Sequence, residues 1–235
     1  LLMQQTNGEV TIDLISSELD IPKSTAYRYA KTLMDRGFLH KSNASGRYQL
    51  GRVFLGFSQL VMASDQALLL AVVPTMTTLA ERTSESVSVM RIMSRRAVCL
   101  ESIPGVHALR VAIERGRAQQ LHAGASSRVL LASQDPQTWK AYLDFPLERF
   151  TETTITDWDA LKVNLDAVRE QGYAVSDGEI DIGARAVAVP LRNTFGITIA
   201  TMSIEAPASR MTPSRTEAYI NYLQQATADV AVSLA

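Results

Sequence analysis

At residues 21–37 the chain runs Ile21-Pro22-Lys23-Ser24-Thr25-Ala26-Tyr27-Arg28-Tyr29-Ala30-Lys31-Thr32-Leu33-Met34-Asp35-Arg36-Gly37. Pro22 is acceptable at the start of a helix, and Gly37 sits where a C-terminal cap belongs, so the segment predicts a helix to about Arg36. Ala26, Tyr29, Ala30, Leu33 and Met34 recur at helical spacing and form one apolar stripe expected to be buried. At about 100° per residue the opposite face centres on Ser24, Arg28, Lys31 and Asp35, flanked by Thr25, Tyr27 and Thr32. Hydroxyls, two cations and a phenol on one exposed face suit phosphate oxygens and base edges in a major groove.

Upstream, Leu1–Gln5 reads as the end of a helix stopped at Asn7-Gly8. Thr11 is placed to cap a short helix through about Leu19. Asp20-Ile21-Pro22 is then a turn, and the two helices make a helix-turn-helix. Downstream, Phe38-Leu39-His40-Lys41 and Arg47-Tyr48-Gln49-Leu50 flank the turn-forming Ser42-Asn43-Ala44-Ser45-Gly46. This is a hairpin with cations on its rims, and the whole is a winged helix. Its candidate DNA contacts are Lys23, Ser24, Thr25, Tyr27, Arg28 and Lys31 on the second helix, with Lys41 and Arg47 on the wing. The alternative is a winged helix that binds only protein.

Charge bears on that choice. The 235 residues carry 23 cations and 24 anions, a net of −1, which on its face argues against a nucleic-acid partner. The charge is not evenly spread. Residues 20–52 hold seven cations against two anions, or +5, and the remainder holds 16 against 22, or −6. A basic module on an acidic body points to a polyanionic partner for the first part. With 46% hydrophobic and 20% charged residues, the composition is that of a soluble globular protein, and the length allows one large domain or two small ones. The longest apolar run, Ala67-Leu68-Leu69-Leu70-Ala71-Val72-Val73, is far below the roughly 18 residues of a membrane-spanning helix. No signal peptide is visible at the start. The chain opens without Met inside an apolar, helix-like stretch, so a few natural residues are expected to precede it. The lone Cys99 and the widely spaced His40, His107 and His122 offer no disulfide and no metal-ligand cluster. Cys99 reads as a small core residue, and the reducing cytosol is the expected compartment.

Beyond the wing, residues 52–64 are helical in pattern, with Val53, Phe54, Phe57, Leu60 and Val61 apolar. A helix exposing that many apolar groups needs a partner surface. It reads as a linker helix packed on another subunit, with packing on its own body as the alternative. Residues 66–83 predict a second helix. From Glu85 the pattern changes. Residues 87–92 and 97–103 read as strands around a turn at Ser94-Arg95-Arg96, and Leu109-Arg110-Val111-Ala112-Ile113 as a third. Residues 126–133 and 136–145 look helical. Trp158, Leu161, Leu165 and Val168 mark an amphipathic helix ending at Gln171-Gly172. Residues 173–176, 184–191 and 196–204 read as strands. Thr212-Pro213 opens a last helix with Tyr219, Leu223, Ala226 and Val230 as its buried stripe. Consecutive strands joined by short turns imply antiparallel pairing with helices packed on the sheet, an α+β domain.

Three blocks of the first part now carry a resemblance: Ile21-Pro22-Lys23-Ser24-Thr25-Ala26-Tyr27-Arg28, Leu33-Met34-Asp35-Arg36-Gly37-Phe38 and Gly46-Arg47-Tyr48-Gln49-Leu50-Gly51. In order and spacing they are similar to the DNA-binding domain of the isocitrate-lyase-regulator (IclR) family of bacterial transcription regulators. Ser16 departs from a usual Ala, and Asp20 from a turn position that is often Gly. The body resembles the same family. Leu121-His122-Ala123-Gly124-Ala125-Ser126-Ser127-Arg128 looks like its loop-to-helix motif beside the effector pocket. Thr153-Thr154-Ile155-Thr156 and Arg169-Glu170-Gln171-Gly172-Tyr173 match its mid-domain helix. Glu179 with Gly183-Ala184-Arg185-Ala186-Val187-Ala188-Val189-Pro190 matches its pocket strand, and Met202-Ser203-Ile204-Glu205-Ala206-Pro207 the strand that closes the sheet.

The resemblance implies an α+β chain: a winged helix-turn-helix at 1–51, a linker helix at 52–65, and an antiparallel-sheet effector domain of GAF/profilin-like type at 66–235. It implies a cytoplasmic repressor without a cofactor, a homodimer or a dimer of dimers on double-stranded operator DNA. The effector is expected to be a small metabolite, often an organic or aromatic acid. Position by position it implies effector binding by Ala125, Ser126, Ser176, Ala184, Ala186, Ser203 and Glu205. Ala186 stands where some relatives have Cys or a larger residue, and Ser176 where some have Asp, which suggests a roomier, less acidic pocket. Glu205 stands where many have Ser or another small residue. Unless it points to solvent, it favours a ligand with hydrogen-bond donors over a bare dicarboxylate. His122 and Arg185 are further candidates for a ligand carboxylate. The competing roles are a structural hydrogen bond for His122 and pairing with Glu179 or Asp181 for Arg185.

The competing class is a hydrolase-like enzyme using the same pocket. Gly124-Ala125-Ser126-Ser127-Arg128 lacks the second Gly of a nucleophile elbow. No Gly-rich phosphate loop or metal-ligand spacing occurs. A Ser126–His122 pair is the one arrangement left open.

Overall fold

The computed structural model of the chain describes residues 3, 6, 8–42 and 46–233. The helix end expected at 1–5, apart from Met3, the turn residue Asn7 and the hairpin tip 43–45 lie outside the described residues. The chain divides into two compact units, Leu1–Gln66 and Ala67–Ala235.

The first unit starts with β1 (Glu9–Thr11), α1 (Ile12–Glu18) and α2 (Lys23–Asp35). Thr11 caps α1, its Oγ1 accepting from the Leu14 amide at 3.2 Å. Asp20 holds φ +48° in the turn, a left-handed conformation that Asp tolerates better than most residues. The Ser16 hydroxyl donates to the Ile21 carbonyl at 2.6 Å. The two residues that depart from the family pattern thus both serve the turn. Next come β2 (Leu39–Lys41) and β3 (Arg47–Leu50). The sheet order is β1-β3-β2, with both pairings antiparallel. Gly51 donates to the Phe38 carbonyl, and a Cβ there would lie 1.8 Å from the Gly37 oxygen; only glycine lets the strand pass that close. The strand β1 was not foreseen, because three residues carry too little alternation to declare one.

The apolar stripe of α2 is only partly buried. Ala26 and Ala30 are at the core with Val10, Ile12, Leu39 and Tyr48, and Met34 packs at its edge. Tyr29 and Leu33 are exposed, contrary to expectation. At 1.5 Å per residue the seven-residue α1 spans roughly 10 Å against roughly 20 Å for α2, too short to cover the whole stripe.

One helix, α3 (Val53–Thr83), replaces the two expected at 52–64 and 66–83. Neither Gly nor Pro stands between Ser64 and Gln66, so nothing there breaks the backbone ladder. The division between the units falls inside this helix. Phe38 packs edge-on to Phe54 and stacks on Phe57 at ring distances of 5.6 and 5.9 Å.

The second unit continues with β4 (Ser86–Met93), β5 (Arg96–Ile103), β6 (Ala118–Gln119) and α4 (Ala125–Ala132). After a 3-10 helix at Pro136–Tyr142 come α5 (Trp158–Gln171), β7 (Ala174–Asp177), β8 (Ala184–Arg192), β9 (Thr198–Pro207) and α6 (Pro213–Ser233). The six strands form one antiparallel sheet in the order β6-β5-β4-β9-β8-β7. Asp157 caps α5 through the Ala160 amide, and Gly172 ends it in the left-handed region. The strand expected at Leu109–Ile113 is irregular backbone; the short β6 pairs with β5 instead.

Successive strand residues point to opposite faces. On one face Val87, Val89, Val187, Val189, Met202 and Ile204 pack with Val72 and Met76 of α3 and with Tyr219, Leu223, Ala226 and Val230 of α6. The other face is covered by Val129 and Leu131 of α4, Leu161 and Leu165 of α5, and Trp139. Cys99 lies in this second layer at 1% exposure. Burial pushes its thiol up to about 12, so it is an inert core residue. No described helix is long and apolar enough to cross a membrane.

Candidate functional site

Two places gather the functional candidates, one in each unit. In the first, Lys23, Ser24, Tyr27, Arg28 and Lys31 of α2 are all exposed, and Thr25 is half-buried against the core side. Tyr27 is 58% exposed, which is unusual for a phenol ring unless its face has a use. Two cations are held by carboxylates, one exposed (Asp13) and one partly buried (Glu9). Lys23 pairs with Asp13 at 2.7 Å, and Arg47 with Glu9 at 2.8 Å. Glu9 also accepts from Ser42 and Gln49, so one carboxylate on β1 fastens the base of the hairpin. Such exposed pairs are worth ~0–1 kcal/mol and exchange readily for a phosphate. Lys41 is exposed at the end of β2.

The second place is a cleft beside the sheet, a cavity of about 60 Å³ within an open depression of about 550 Å³. Ala125 and Ser126 from α4, Ser176 from β7, Ala184 and Ala186 from β8, and Glu205 from β9 all line it. Ladder pairing explains how they meet: Ser176 is opposite Ala186, and Ala186 is opposite Glu205. Ser203 does not line the cleft. It stands behind, accepting from the Ser126 hydroxyl at 2.9 Å and donating to Glu205 at 2.5 Å. Val111, Ala112, Ile113 and Arg117 complete one wall; the apolar pattern that suggested a strand serves the cleft instead. Gly124, just ahead of α4, holds φ +86°, and a Cβ there would lie 2.8 Å from Ile180. The first amides of α4 have no carbonyl within the helix to bond, which is the usual setting for an anionic ligand group.

Glu205 is 2% exposed. Its Oε1 accepts from Ser88 at 2.7 Å and from Ser203 at 2.5 Å, while its Oε2 has no hydrogen-bond partner. Burial pushes the carboxyl up to about 7, against the opposing pull of the Ser203 and Ser88 hydroxyls. The alternative in which it faces solvent does not hold.

Of the other polar groups, Arg185 differs from expectation in its partner, while His122 makes the structural hydrogen bond expected as its alternative role. Glu179 pairs with Arg128, 2% exposed, at 2.5 Å. Arg128 also donates to Asn164 and to the Val175 carbonyl, and Glu179 accepts from the Gly124 amide. Arg185 therefore pairs with neither Glu179 nor Asp181 but with Asp177, and donates to the Met211 carbonyl. Sequence reasoning missed Arg128, although it stands within the quoted loop-to-helix motif. An arginine among small and apolar residues at a helix start was the available signal, since arginine is rarely buried unpaired. His122 is away from the cleft, bonded through Nε2 to the Glu148 carbonyl at 2.8 Å and stacked on Phe150. Burial lowers its basicity. No Ser126–His122 hydrogen bond forms: the Ser126 hydroxyl donates to Ser203, and His122 bonds the Glu148 carbonyl through Nε2. Among the described residues no group of His, Cys, Asp and Glu could hold a metal ion.

Comparison with known proteins adds the following. Residues 1–42 match the model of an IclR helix-turn-helix domain, and residues 61–232 that of the bacterial transcriptional regulator IclR C-terminal domain. The chain is 30% identical over 234 residues to the HTH-type transcriptional regulator KdgR of Escherichia coli K12, covering 96% of this chain and 86% of that one. A crystal structure of an ICLR transcriptional regulator from Silicibacter superposes with a TM-score of 0.84 at 26% identity, covering 96% of this chain and 89% of the other. An IclR homologue from Microbacterium hydrocarbonoxydans, solved in complex with 4-hydroxybenzoate, gives 0.75 at 25% identity, with coverage of 97% and 92%.

Proposed function

The chain belongs to the IclR family of bacterial transcriptional regulators, and on that footing we propose that α2 and the wing bind operator DNA under the control of a small organic acid held in the cleft. The observation that carries the DNA half is the exposed cationic and hydroxyl-bearing face of α2 within a winged helix. Ser24, Thr25, Tyr27, Arg28 and Lys31 enter the major groove, with Lys23 at its edge. Lys41 and Arg47 secure the wing on phosphate. In Arg28→Ala, operator affinity falls by about 1–3 kcal/mol while ligand binding is unchanged. Gel-shift titration at fixed salt measures it, and unaltered operator affinity rejects this face.

The cleft supports the effector half. Its lining combines a helix start, hydroxyls and small residues, and a homologue of this fold holds an aromatic acid. Benzene fills a cavity of roughly 150 Å³, so a ring-sized acid occupies the open depression as well as the enclosed part. Ala186→Leu fills the floor of the cleft. Such a variant still binds operator but no longer responds to effector, and a normal response places the pocket elsewhere.

Residues 1–51 then act as the DNA-binding part, 52–65 as the linker and 66–235 as the effector and assembly part. Phe54, Leu55 and Phe57 are 40%, 64% and 46% exposed, which supports dimerisation through the linker; the pairing of dimers into a tetramer through the body rests on the family resemblance. Two recognition helices then meet two half-sites set by the symmetry of the dimer. Effector binding shifts operator affinity only so far as it favours one arrangement over another. The protein works as a cytoplasmic, non-enzymatic repressor.

A further inference from the structure

We infer that Glu205 selects the effector by accepting a hydrogen bond from a ligand hydroxyl at Oε2, so that the effector is a hydroxylated monocarboxylic acid and neither a bare acid nor a dicarboxylate. The inference rests on the reading of the cleft as the effector site.

Three observations lead to it. Glu205 is a buried carboxyl in the cleft lining, and no cation is paired with it among the described residues. Its Oε1 is saturated by Ser88 and Ser203, which leaves Oε2 without a partner. No described group donates to Oε2. The side chains of Ala125, Ala184 and Ala186 carry no donor, and Ser126 spends its hydroxyl hydrogen on Ser203. Of the cleft arginines, Arg185 is held by Asp177 and the Met211 carbonyl, and Arg117 is exposed; neither bonds Oε2. A buried carboxylate oxygen left unpartnered is costly, so a ligand that brings a donor gains what the protein withholds.

The form of the donor follows from counting. An ammonium brings three donors and no acceptor, and a hydroxyl brings one donor. Glu205 offers one open acceptor, Oε2, which a hydroxyl matches one to one, while an ammonium would need two further acceptors beyond Glu205. A second carboxylate on the ligand would set two acceptors face to face. Selectivity of this kind is large, because a site built to bond a hydroxyl strongly rejects the analogue that lacks it.

The test is calorimetric titration of the full chain at pH 8 with two matched sets of probes. One set is 4-hydroxybenzoate, benzoate and terephthalate; the other is 6-hydroxyhexanoate, hexanoate and adipate. In at least one set the hydroxy acid binds roughly tenfold or more tighter than both of its analogues. In Glu205→Gln the amide nitrogen takes the place of Oε2 as a donor, and the dicarboxylate of that set recovers roughly tenfold or more. Equal binding of hydroxy and bare acids overturns the inference. So does a ranking unchanged in Glu205→Gln, or no binding of either hydroxy acid at about 10 mM, a level that admits even weak ligands. Ala186→Leu separates the two levels. Indiscriminate binding that this variant abolishes removes the role of Glu205 and leaves the cleft as the effector site. Binding that it does not alter removes the cleft itself.

Discussion

Arg128→Ala destabilises the chain by about 3–5 kcal/mol, the cost of breaking a buried ion pair by removing one partner. Arg128 has only 2% of its surface in water. It spans Asn164 of α5, the Val175 carbonyl of β7 and Glu179 in the loop after β7. Removing it leaves the Glu179 carboxyl buried with the Gly124 amide as its best remaining partner, 3.1 Å away. Domains are commonly stable by about 5–15 kcal/mol, so the loss is a large share of the whole. Burial already raises the Glu179 carboxyl, and the Arg128 charge is the main influence drawing it back. Without the arginine it rises further and takes up a proton more readily in the folded chain than in the unfolded one. The destabilisation is therefore smaller near pH 5 than near pH 8. Urea unfolding at both pH values measures this. A variant within about 1 kcal/mol of the parent would show that the pair contributes nothing beyond a surface bridge. In the double variant Arg128→Met with Glu179→Met the loss is less than the sum of the single losses, since no charge is stranded.

Glu205→Gln has the second large effect, and its sign depends on pH. The folded-state value is about 7 against 4.5 for an ordinary glutamate. Between those values the folded chain binds more protons than the unfolded chain, so stability falls as pH rises from about 4.5 to about 7 and is level above that. Each unit is worth about 1.4 kcal/mol, so Glu205 lowers stability by about 3 kcal/mol once fully ionised. Glutamine keeps an acceptor for Ser88 and Ser203 and cannot ionise. Relative to the parent, the variant gains about 2–3 kcal/mol between pH 5 and pH 8. The same difference at both pH values would mean that Glu205 is not ionising inside the fold. An effector that partners Oε2 offsets the same penalty.

Much of this was legible in the chain itself. The recognition helix, its glycine stop and the hairpin rims were declared by local chemistry at Pro22, Gly37, Lys41 and Arg47. Asp157 and Gly172 likewise mark the ends of α5. Strands β8 and β9 were visible in part through alternation, Val187, Val189 and Leu191 in the first and Met202 and Ile204 in the second. What escaped was non-local. Three residues at Glu9–Thr11 pair with a strand 36 or more residues away. Arg128 finds Glu179 across 51 residues. Leu109–Ile113 has the apolar content of a strand, yet Leu109 is exposed and Val111, Ala112 and Ile113 form a wall of the cleft. Tyr29 and Leu33 satisfy helical periodicity, but the helix that would cover them is too short. Periodicity reports that a face is apolar, and it cannot report what lies opposite.

The parity of β9 has a consequence for folding. Met202, Ile204 and Ala206 face the apolar layer, while Thr201, Ser203 and Glu205 face the other way. This strand lies between β4 and β8, in the interior of the sheet, and a slip by one residue would exchange the two sets. The Glu205 carboxyl would then be driven among methionine and isoleucine side chains, away from Ser88 and Ser203. An all-apolar strand would pay little for that error. Glu205 makes it costly, so a buried carboxyl on an interior strand acts as a register lock, rejecting misaligned sheets before any ligand is present.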